Sequence, residues 1–152
     1  MTTPATNLVN MTANEIVGLL KKREVTPAEL LDALRERISE VDNKVNALPT
    51  LCWERAYKDA DKMSNLSLDE RGILAGLPVA IKDLNPVSGV RSTWGSPIYR
   101  DFVPTRSDCL VKNLEKEGGI VYAKTNTPEF GAGANTFNEV FGATLDPWDT
   151  TK

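Results

Sequence analysis

The stretch 73–81 constrains the fold more than any other part of the sequence. It is nearly all apolar, is interrupted only by Gly76 and Pro78, and stops abruptly at Lys82-Asp83. A short run without polar alternation is typical of a strand covered on both faces, as in a parallel sheet. We therefore predict a buried strand over 73–81 that loses its cover at Lys82.

A helix and a second strand are predicted downstream. Ser107-Asp108 can cap a helix, and Gly118-Gly119 can end it before a short apolar strand over 120–123. The order strand, crossover helix, strand is typical of α/β folds. The buried face of this helix is predicted to consist of Leu110, Val111 and Leu114.

The N-terminal part is predicted to be helical. Thr12-Ala13-Asn14-Glu15 and Thr26-Pro27-Ala28-Glu29 repeat one capping box, in which a threonine and a later glutamate satisfy the first amides of a helix. We interpret the apolar faces that follow as ordinary core packing rather than as a membrane or partner-helix surface. An edge strand within 45–52 and a third helix over 53–62 come next. The apolar residues at helical spacing are Ile16, Val17, Leu19 and Leu20, then Leu30, Leu31, Leu34, Ile38 and Val41.

These elements predict one α/β domain over residues 1–152. Residues 1–72 form a mainly helical lead-in, and residues 73–152 supply the first core strands and the crossover helix. The fold class is a mixed twisted sheet flanked by helices. Few strands precede the polar turn at 146–152, so the sheet is expected to be incomplete in this chain.

Composition and charge argue against several classes of function. The formal net charge is −3, with 18 basic and 21 acidic residues in no segregated pattern, so no nucleic acid or acidic membrane is expected as a partner. No apolar run is long enough to cross a bilayer and no leader-like start is present, so a cytoplasmic location is expected. No metal site or cofactor motif is visible. Cys52 and Cys109 lack the close spacing of a redox or zinc pair.

The sequence contains no histidine, so neither a Ser-His-Asp nor a Cys-His arrangement can be built from its residues. Lys82 is the candidate base because it ends the predicted strand, and ligands gather at the carboxyl ends of strands in open α/β sheets. Burial there would disfavour the charged form of a lysine and make it a base. The residues alone also allow a solvated strand end, or an ion pair between Lys82 and Asp83.

Several separated motifs resemble the amidase signature family. The stretch 74–84, Leu-Ala-Gly-Leu-Pro-Val-Ala-Ile-Lys-Asp-Leu, is similar to the segment that carries the catalytic lysine of that family. The resemblance covers essentially the whole chain, and several motifs in register are more specific than any one of them. The further matches follow in the family's order at 89–96, 101–104, 118–121, 123–131 and 141–149.

The resemblance implies a Ser-Ser-Lys triad in which Lys82 is the base. The two serines and the oxyanion donors of that family come from later segments, so this chain is expected to supply only the lysine and to be inactive by itself. A loop matching the one beside the family's reaction centre is expected to shape the substrate cleft; its alternative is a polar turn capped by Thr127. Lys124 is interpreted as structural rather than as a second base. The cleft residues implied are Thr125, Asn126, Phe130 and Gly131.

The implied function is a cofactor-free amidase that cleaves the C–N bond of a small carboxylic amide together with the remainder of the amidase chain. A homodimer is left open. One alternative is a non-catalytic scaffold or a complementing fragment. Another is a transamidation subunit that works with partner proteins on charged tRNA. The loop 127–133, Thr-Pro-Glu-Phe-Gly-Ala-Gly, departs from the Met-Asp-Glu-Phe-Ala pattern frequent in that subunit, so we favour a stand-alone amidase.

Overall fold

The computed structural model describes residues 8–152. The predicted third helix is confirmed and extends to Asn65. Single 3-10 turns lie at Leu68–Glu70, Pro97–Tyr99 and Glu129–Gly131. The principal helices are α1 (Ala13–Lys22), α2 (Pro27–Val45), α3 (Trp53–Asn65) and α4 (Cys109–Lys116).

Both predicted capping boxes are present. Glu15 N donates to Thr12 Oγ1 at 3.4 Å, and Thr12 N donates to Glu15 Oε2 at 2.8 Å. The second box repeats this exchange at the start of α2: Glu29 N donates to Thr26 Oγ1 at 3.2 Å, and Thr26 N donates to Glu29 Oε2 at 2.8 Å. Each box satisfies amides that a helix start leaves unpaired, so the chain fixes both helix starts locally.

The strands are β1 (Thr50–Leu51), β2 (Pro78–Lys82), β3 (Ile120–Thr125), β4 (Phe137–Asn138) and β5 (Gly142–Ala143). The first three form a sheet in the order β1-β3-β2, and β4 pairs with β5. β1 pairs antiparallel with β3, with Leu51 opposite Ala123. The predicted edge strand within 45–52 is therefore confirmed, although only two residues of it are in the sheet.

The sheet is mixed, as predicted, because β2 and β3 run parallel. Ile120 N donates to Leu77 O at 2.9 Å, and Asp83 N donates to Thr125 O at 3.1 Å. Residue numbers thus increase together along the two strands. The helix α4 lies between them in sequence, which gives the predicted order of strand, helix and strand.

The strand predicted over 73–81 is shorter than the apolar run. Leu77 N donates to Leu74 O at 2.9 Å, and Ala75 and Gly76 have positive φ values of 54° and 105°. These features close a turn, so the strand begins only at Pro78. The described residues also do not cover the run on both faces: Ile73 is 65% exposed, 78–80 are half-buried and only Ile81 of the strand is buried. The prediction was wrong here because an apolar run does not distinguish a buried turn from a strand.

The chain divides into two compact units. Unit 1 comprises the described residues up to Ser39 together with Cys52–Val79 and Asn113–Tyr122. Its core is apolar and takes Ile16, Leu20 and Leu30 from the predicted helix faces, which confirms core packing for this part of them. Leu34 and Ile38, further along the second face, are only half-buried. The core residues are Leu8, Ile16, Leu20, Val25, Leu30, Ala33 and Ala75.

Gly118 ends α4 within unit 1, as predicted. Gly118 N donates to Glu115 O, and Gly119 N donates to Leu114 O at 2.8 Å. Gly118 has φ +86°, and a Cβ there would lie 1.9 Å from Arg71 O. Only glycine fits this close backbone approach.

Asp108 caps the start of α4, since Leu110 N donates to its Oδ1 at 2.8 Å. The predicted buried face of this helix is only partly confirmed. Val111 is fully buried and Leu114 is half-buried, but Leu110 is 52% exposed. Leu110 occupies the first turn of the helix, where its side chain lacks cover from the described residues.

Unit 2 comprises Glu40–Leu51, Ala80–Lys112 and Ala123–Lys152. Its interior differs in character, because many of its buried side chains are polar. Buried polar groups are costly unless they are hydrogen bonded, so a polar interior must be organised as a network. The buried polar residues of this unit are Asp83, Ser92, Thr93, Ser96, Lys124, Asn126, Thr127 and Asn138.

Candidate active site

Lys82 is the last residue of β2, and its side chain is exposed. No described residue hydrogen bonds to its Nζ or forms an ion pair with it. Its carbonyl oxygen accepts from Asn85 N at 3.0 Å, so the backbone turns immediately after the strand. The position at a strand end is as predicted. The burial that we expected for this lysine is absent among the described residues. The neighbouring polar groups surround the side chain of Asp83 instead.

Asp83 is the buried member of the Lys82-Asp83 pair, with 1% of its surface exposed. Its Oδ1 accepts from Lys124 Nζ at 2.8 Å. Its Oδ2 accepts from Thr93 N at 3.0 Å and from Thr93 Oγ1 at 2.6 Å. Both carboxylate oxygens are therefore satisfied by groups that stabilise negative charge in a dry environment.

Lys124 lies on the neighbouring strand β3 and is completely buried. Besides Asp83, its Nζ donates to Ser92 Oγ at 2.9 Å. An ammonium group without solvent is stable only when paired and hydrogen bonded, which is the arrangement found. The ion pair that the sequence allowed between Lys82 and Asp83 is thus formed by Lys124 instead, and this agrees with a structural role for Lys124.

The turn at 92–95 completes the environment of Asp83. Thr93 Oγ1 accepts from Gly95 N at 3.0 Å while donating to the carboxylate. Trp94 N donates to Asp83 O at 3.1 Å. This turn is therefore attached to both the main chain and the side chain of Asp83.

The four predicted cleft residues occupy different environments. Thr125 is half-buried at the end of β3, and its carbonyl oxygen accepts from Asp83 N. Phe130 is 53% exposed with φ 51°, and its amide donates to Trp94 O at 2.7 Å. Gly131 has φ +73°, and a Cβ there would lie 2.7 Å from Leu84 Cδ1. The loop that carries Phe130 and Gly131 is thus held close to the segment following Lys82.

Asn126 is buried, and its side chain is occupied by protein groups. Its Nδ2 donates to Thr144 Oγ1 at 3.0 Å, and its Oδ1 accepts from Asn138 Nδ2 at 2.7 Å. Asn138 also donates to Thr127 O at 2.8 Å. These bonds fix the loop after β3. The side chain of Thr127 donates to Pro128 O rather than capping a helix.

An aromatic cluster lies beside the turn at 92–95. Trp94 contacts Tyr99 edge to face, with ring centroids 4.8 Å apart, and stacks on Phe102 at 5.6 Å. Phe130 meets Tyr99 edge to face at 6.3 Å. Trp94 and Phe130 both have positive φ values, of 54° and 51°. Non-glycine residues in this conformation are strained, and such strain gathers at functional sites.

Sequence reasoning identified Lys82 but missed the partners that organise its surroundings. Asp83, Ser92 and Thr93 were not singled out as a set, because they are separated along the chain and meet only in the fold. One signal was available: Lys124 interrupts an otherwise apolar strand, Ile-Val-Tyr-Ala-Lys-Thr. A lysine inside a buried strand requires a buried acid, and Asp83 at the end of the adjacent strand was the nearest candidate.

Three negative findings, on metal clusters, disulfides and membrane-spanning helices, apply to the residues that the structure describes. Within residues 8–152 no group of three or more His, Cys, Asp or Glu side chains could hold a metal ion. Neither Cys52 nor Cys109 forms a disulfide within this range. Over the same range, none of the helices combines the length and the apolar character that a bilayer crossing requires.

Known proteins match the chain over most of its length. It is 41% identical over 142 residues to the A subunit of the glutamyl-tRNA(Gln) amidotransferase of Halothermothrix orenii, covering 93% of this chain and 28% of that protein. It is 37% identical over 146 residues to the protein of the same name from Alkaliphilus metalliredigens, covering 93% and 29%. The chain therefore spans less than a third of the curated relatives it matches.

Solved structures share the fold. A 6-aminohexanoate cyclic dimer hydrolase superposes with a TM-score of 0.81 at 26% identity, covering 92% of this chain and 28% of that one. An amidase superposes with a TM-score of 0.80 at 30% identity, covering 93% and 33%. Fatty acid amide hydrolase, at 21% identity and a TM-score of 0.86, shows the fold alone.

The family model named Amidase matches residues 29–152, which include β2, Lys82 and the buried pair. This range is well over half of the chain. The predicted resemblance is thereby confirmed, and the chain belongs to the amidase signature family.

Proposed function

We propose that this chain provides the base for hydrolysis of a carboxylic amide, and that Lys82 is that base. The observation that carries the proposal is the position of Lys82. It lies in the family's lysine motif at the end of β2, and its side chain is exposed, with no partner among the described residues. The fold sequesters the neighbouring lysine, Lys124, in an ion pair, which leaves Lys82 as the lysine of this sheet edge available for proton transfer.

The proposed chemistry is a proton relay through two serines supplied by later segments of the domain. Uncharged Lys82 accepts the proton of a bridging serine, which in turn accepts the proton of the nucleophilic serine. The nucleophile attacks the amide carbonyl, and the relay returns the proton to the leaving amine. A water molecule then gives a proton to the same relay and attacks the acyl-serine ester, which releases the carboxylic acid and restores the serine. No cofactor takes part.

Lys82 must lose solvent to serve this role, because a lysine acts as a base only in its uncharged form. We propose that later segments of the domain cover it, since the relatives are more than three times longer than the matched region. Residues 1–152 on their own are proposed to hydrolyse no amide, because triad members act as a unit.

Phe130 and Gly131 are proposed to line the substrate cleft, with Thr125 beside them at the end of β3. The exposure of Phe130 and its backbone bond to Trp94 support this assignment. Asn126 is proposed to act by holding the loop, because its side chain is already occupied by Thr144 and Asn138. The substrate is proposed to be a small carboxylic amide.

A second candidate function is supported by the names of the curated relatives. Those proteins are glutamyl-tRNA(Gln) amidotransferase A subunits at 35–41% identity. In that role the chain would release ammonia from an amide donor and work with partner subunits on charged tRNA. The Thr-Pro-Glu-Phe-Gly loop at 127–131 favours the stand-alone amidase, whereas the relatives favour the transamidation role.

The two candidates are separated by one experiment on the full-length protein. A serine-directed fluorophosphonate tests for an activated nucleophile, and ammonia release is then measured with a panel of simple amides and with glutamine. Labelling together with turnover of simple amides by the protein alone supports the stand-alone amidase. Turnover of glutamine that requires an added partner protein supports the transamidation role. A folded protein with neither labelling nor turnover contradicts both and leaves the scaffold.

A further inference from the structure

We propose that Thr93 is a positioning residue for Lys82 and that it acts through the buried carboxylate of Asp83. This inference rests on the proposed function, since it assigns a role relative to the proposed base. It adds a residue to which the sequence analysis gave no role: Thr93 lies 11 positions after Lys82, within the matched stretch 89–96, and is completely buried.

The first step is the anchoring of residue 83. Its main chain donates to Thr125 O at 3.1 Å and accepts from Trp94 N at 3.1 Å. Its side chain accepts from Lys124 Nζ, from Thr93 N and from Thr93 Oγ1. These five bonds come from two segments only, the end of β3 and the turn at 92–95. Residue 83 is therefore fixed between them.

The second step connects this anchoring to Lys82. Lys82 is the last residue of β2 and is exposed, and the next residue, Asp83, is buried and anchored, so the bonds to Asp83 fix the main chain from which the Lys82 side chain leaves the strand. The Lys82 side chain has no described partner of its own. Its direction consequently depends on the main chain at residues 81–83, and that main chain depends on the bonds to Asp83.

The third step identifies Thr93 Oγ1 as the group that completes the anchor. It donates to Asp83 Oδ2 at 2.6 Å and accepts from Gly95 N at 3.0 Å. The hydroxyl thus joins the carboxylate to the turn that carries Trp94. Removing it leaves the Asp83–Lys124 ion pair and the bond from Thr93 N to the carboxylate, but it removes the shorter of the two bonds from the turn to Oδ2 and the acceptor of Gly95 N. A displacement of about 1 Å at a catalytic group can lower the rate about a hundredfold.

The test compares Thr93→Val with Thr93→Ser in the full-length enzyme. Valine has the shape of threonine without the hydroxyl, whereas serine keeps the hydroxyl. We expect kcat of the valine variant to fall about tenfold or more, with KM changed less than about threefold, and kcat of the serine variant to stay near wild type. Thr93→Ala is the second variant if valine prevents folding, and the same loss of kcat is expected.

Ile16→Val controls for simple destabilisation, because Ile16 is buried in α1 and belongs to the apolar core of unit 1. Its kcat is expected to equal that of wild type. Folded Thr93→Val and Thr93→Ala variants with the kcat of Thr93→Ser would overturn the inference alone, provided that Lys82→Met is inactive. Full activity of Lys82→Met would overturn the proposed function and this inference together.

Discussion

Lys124 Nζ lies 2.8 Å from Asp83 Oδ1, and the two side chains are 0% and 1% exposed. The lysine that the family motif marks as a base, Lys82, adjoins this pair in sequence but is exposed. The ends of β2 and β3 thus carry two lysines in opposite environments. Lys124 is held in a buried ion pair with Asp83, whereas the side chain of Lys82 has no described partner. Their contributions to stability and to catalysis should therefore be separable.

Lys124→Met should destabilise the fold strongly. It leaves the Asp83 carboxylate buried with only the bonds from Thr93, and breaking a buried pair in this way costs about 3–5 kcal/mol. Lys82→Met is the matched control and should change the free energy of unfolding by no more than about 0.5 kcal/mol, because its side chain is exposed. Urea denaturation followed by circular dichroism measures both. Equal effects of the two substitutions would contradict the assignment of the buried pair.

Gly118→Ala should also destabilise the protein. The added Cβ would lie 1.9 Å from Arg71 O, in a backbone conformation with φ +86°. We expect a loss of about 2 kcal/mol or more, since both strain and a backbone clash are introduced.

Gly18→Ala is the opposite case for comparison. Gly18 lies within α1, and no described atom outside its own helix lies within 4 Å of its added Cβ. Alanine favours the helix over glycine by about 0.5–1 kcal/mol, so the midpoint of thermal unfolding should rise. A rise for Gly118→Ala would contradict the close approach at Gly118, and a fall for Gly18→Ala would contradict the open surroundings of Gly18.

The capping box of α1 should make stability depend on pH. The hydrogen bond from the Thr12 amide, followed by that from its hydroxyl, lowers the pKa of Glu15 below the usual 4.5. A lowered folded pKa contributes stability that is present above pH 4.5 and is lost as the pH falls through the folded value. Unfolding measured between pH 6 and pH 3 should therefore show a shallower decline in Glu15→Gln than in wild type.

Thr12→Val refines this prediction. It removes the hydroxyl but keeps the amide that makes the larger contribution to the pKa of Glu15. This variant should retain part of the pH dependence. Identical pH profiles for wild type and Glu15→Gln would contradict the capping-box account.

Local signals predicted the parts of the fold that local chemistry determines. The boxes at Thr12 and Thr26 and the glycine end of α4 depend on residues within a few positions of one another, and all are present. The strand over 73–81 was predicted too long because its apolar composition concealed the turn at Ala75 and Gly76. Gly76 was the one local sign of this turn, because an isolated glycine in a strand pattern marks a bulge or a turn.

The candidate site was predictable only in part. The motif around Lys82 pointed to that residue, but its exposure depends on which segments cover it. Closeness in sequence did not reveal the ion-pair partner of Asp83, because Lys82 is next to it in sequence and the true partner, Lys124, is 41 positions away. Parallel pairing of β2 with β3 brings Asp83 and Lys124 together. Long-range pairing of this kind is set by the fold rather than by local sequence.

The most direct test of the account is the rate of amide hydrolysis by the full-length protein with Lys82→Met. Loss of a general base lowers kcat/KM by about 10²–10⁴-fold, and we predict a loss of this size in a variant whose circular dichroism spectrum matches that of wild type. Lys112→Met, which changes an exposed lysine of α4, is the control and should keep full activity. Activity of Lys82→Met within a few-fold of wild type would contradict the assignment of Lys82 as the base.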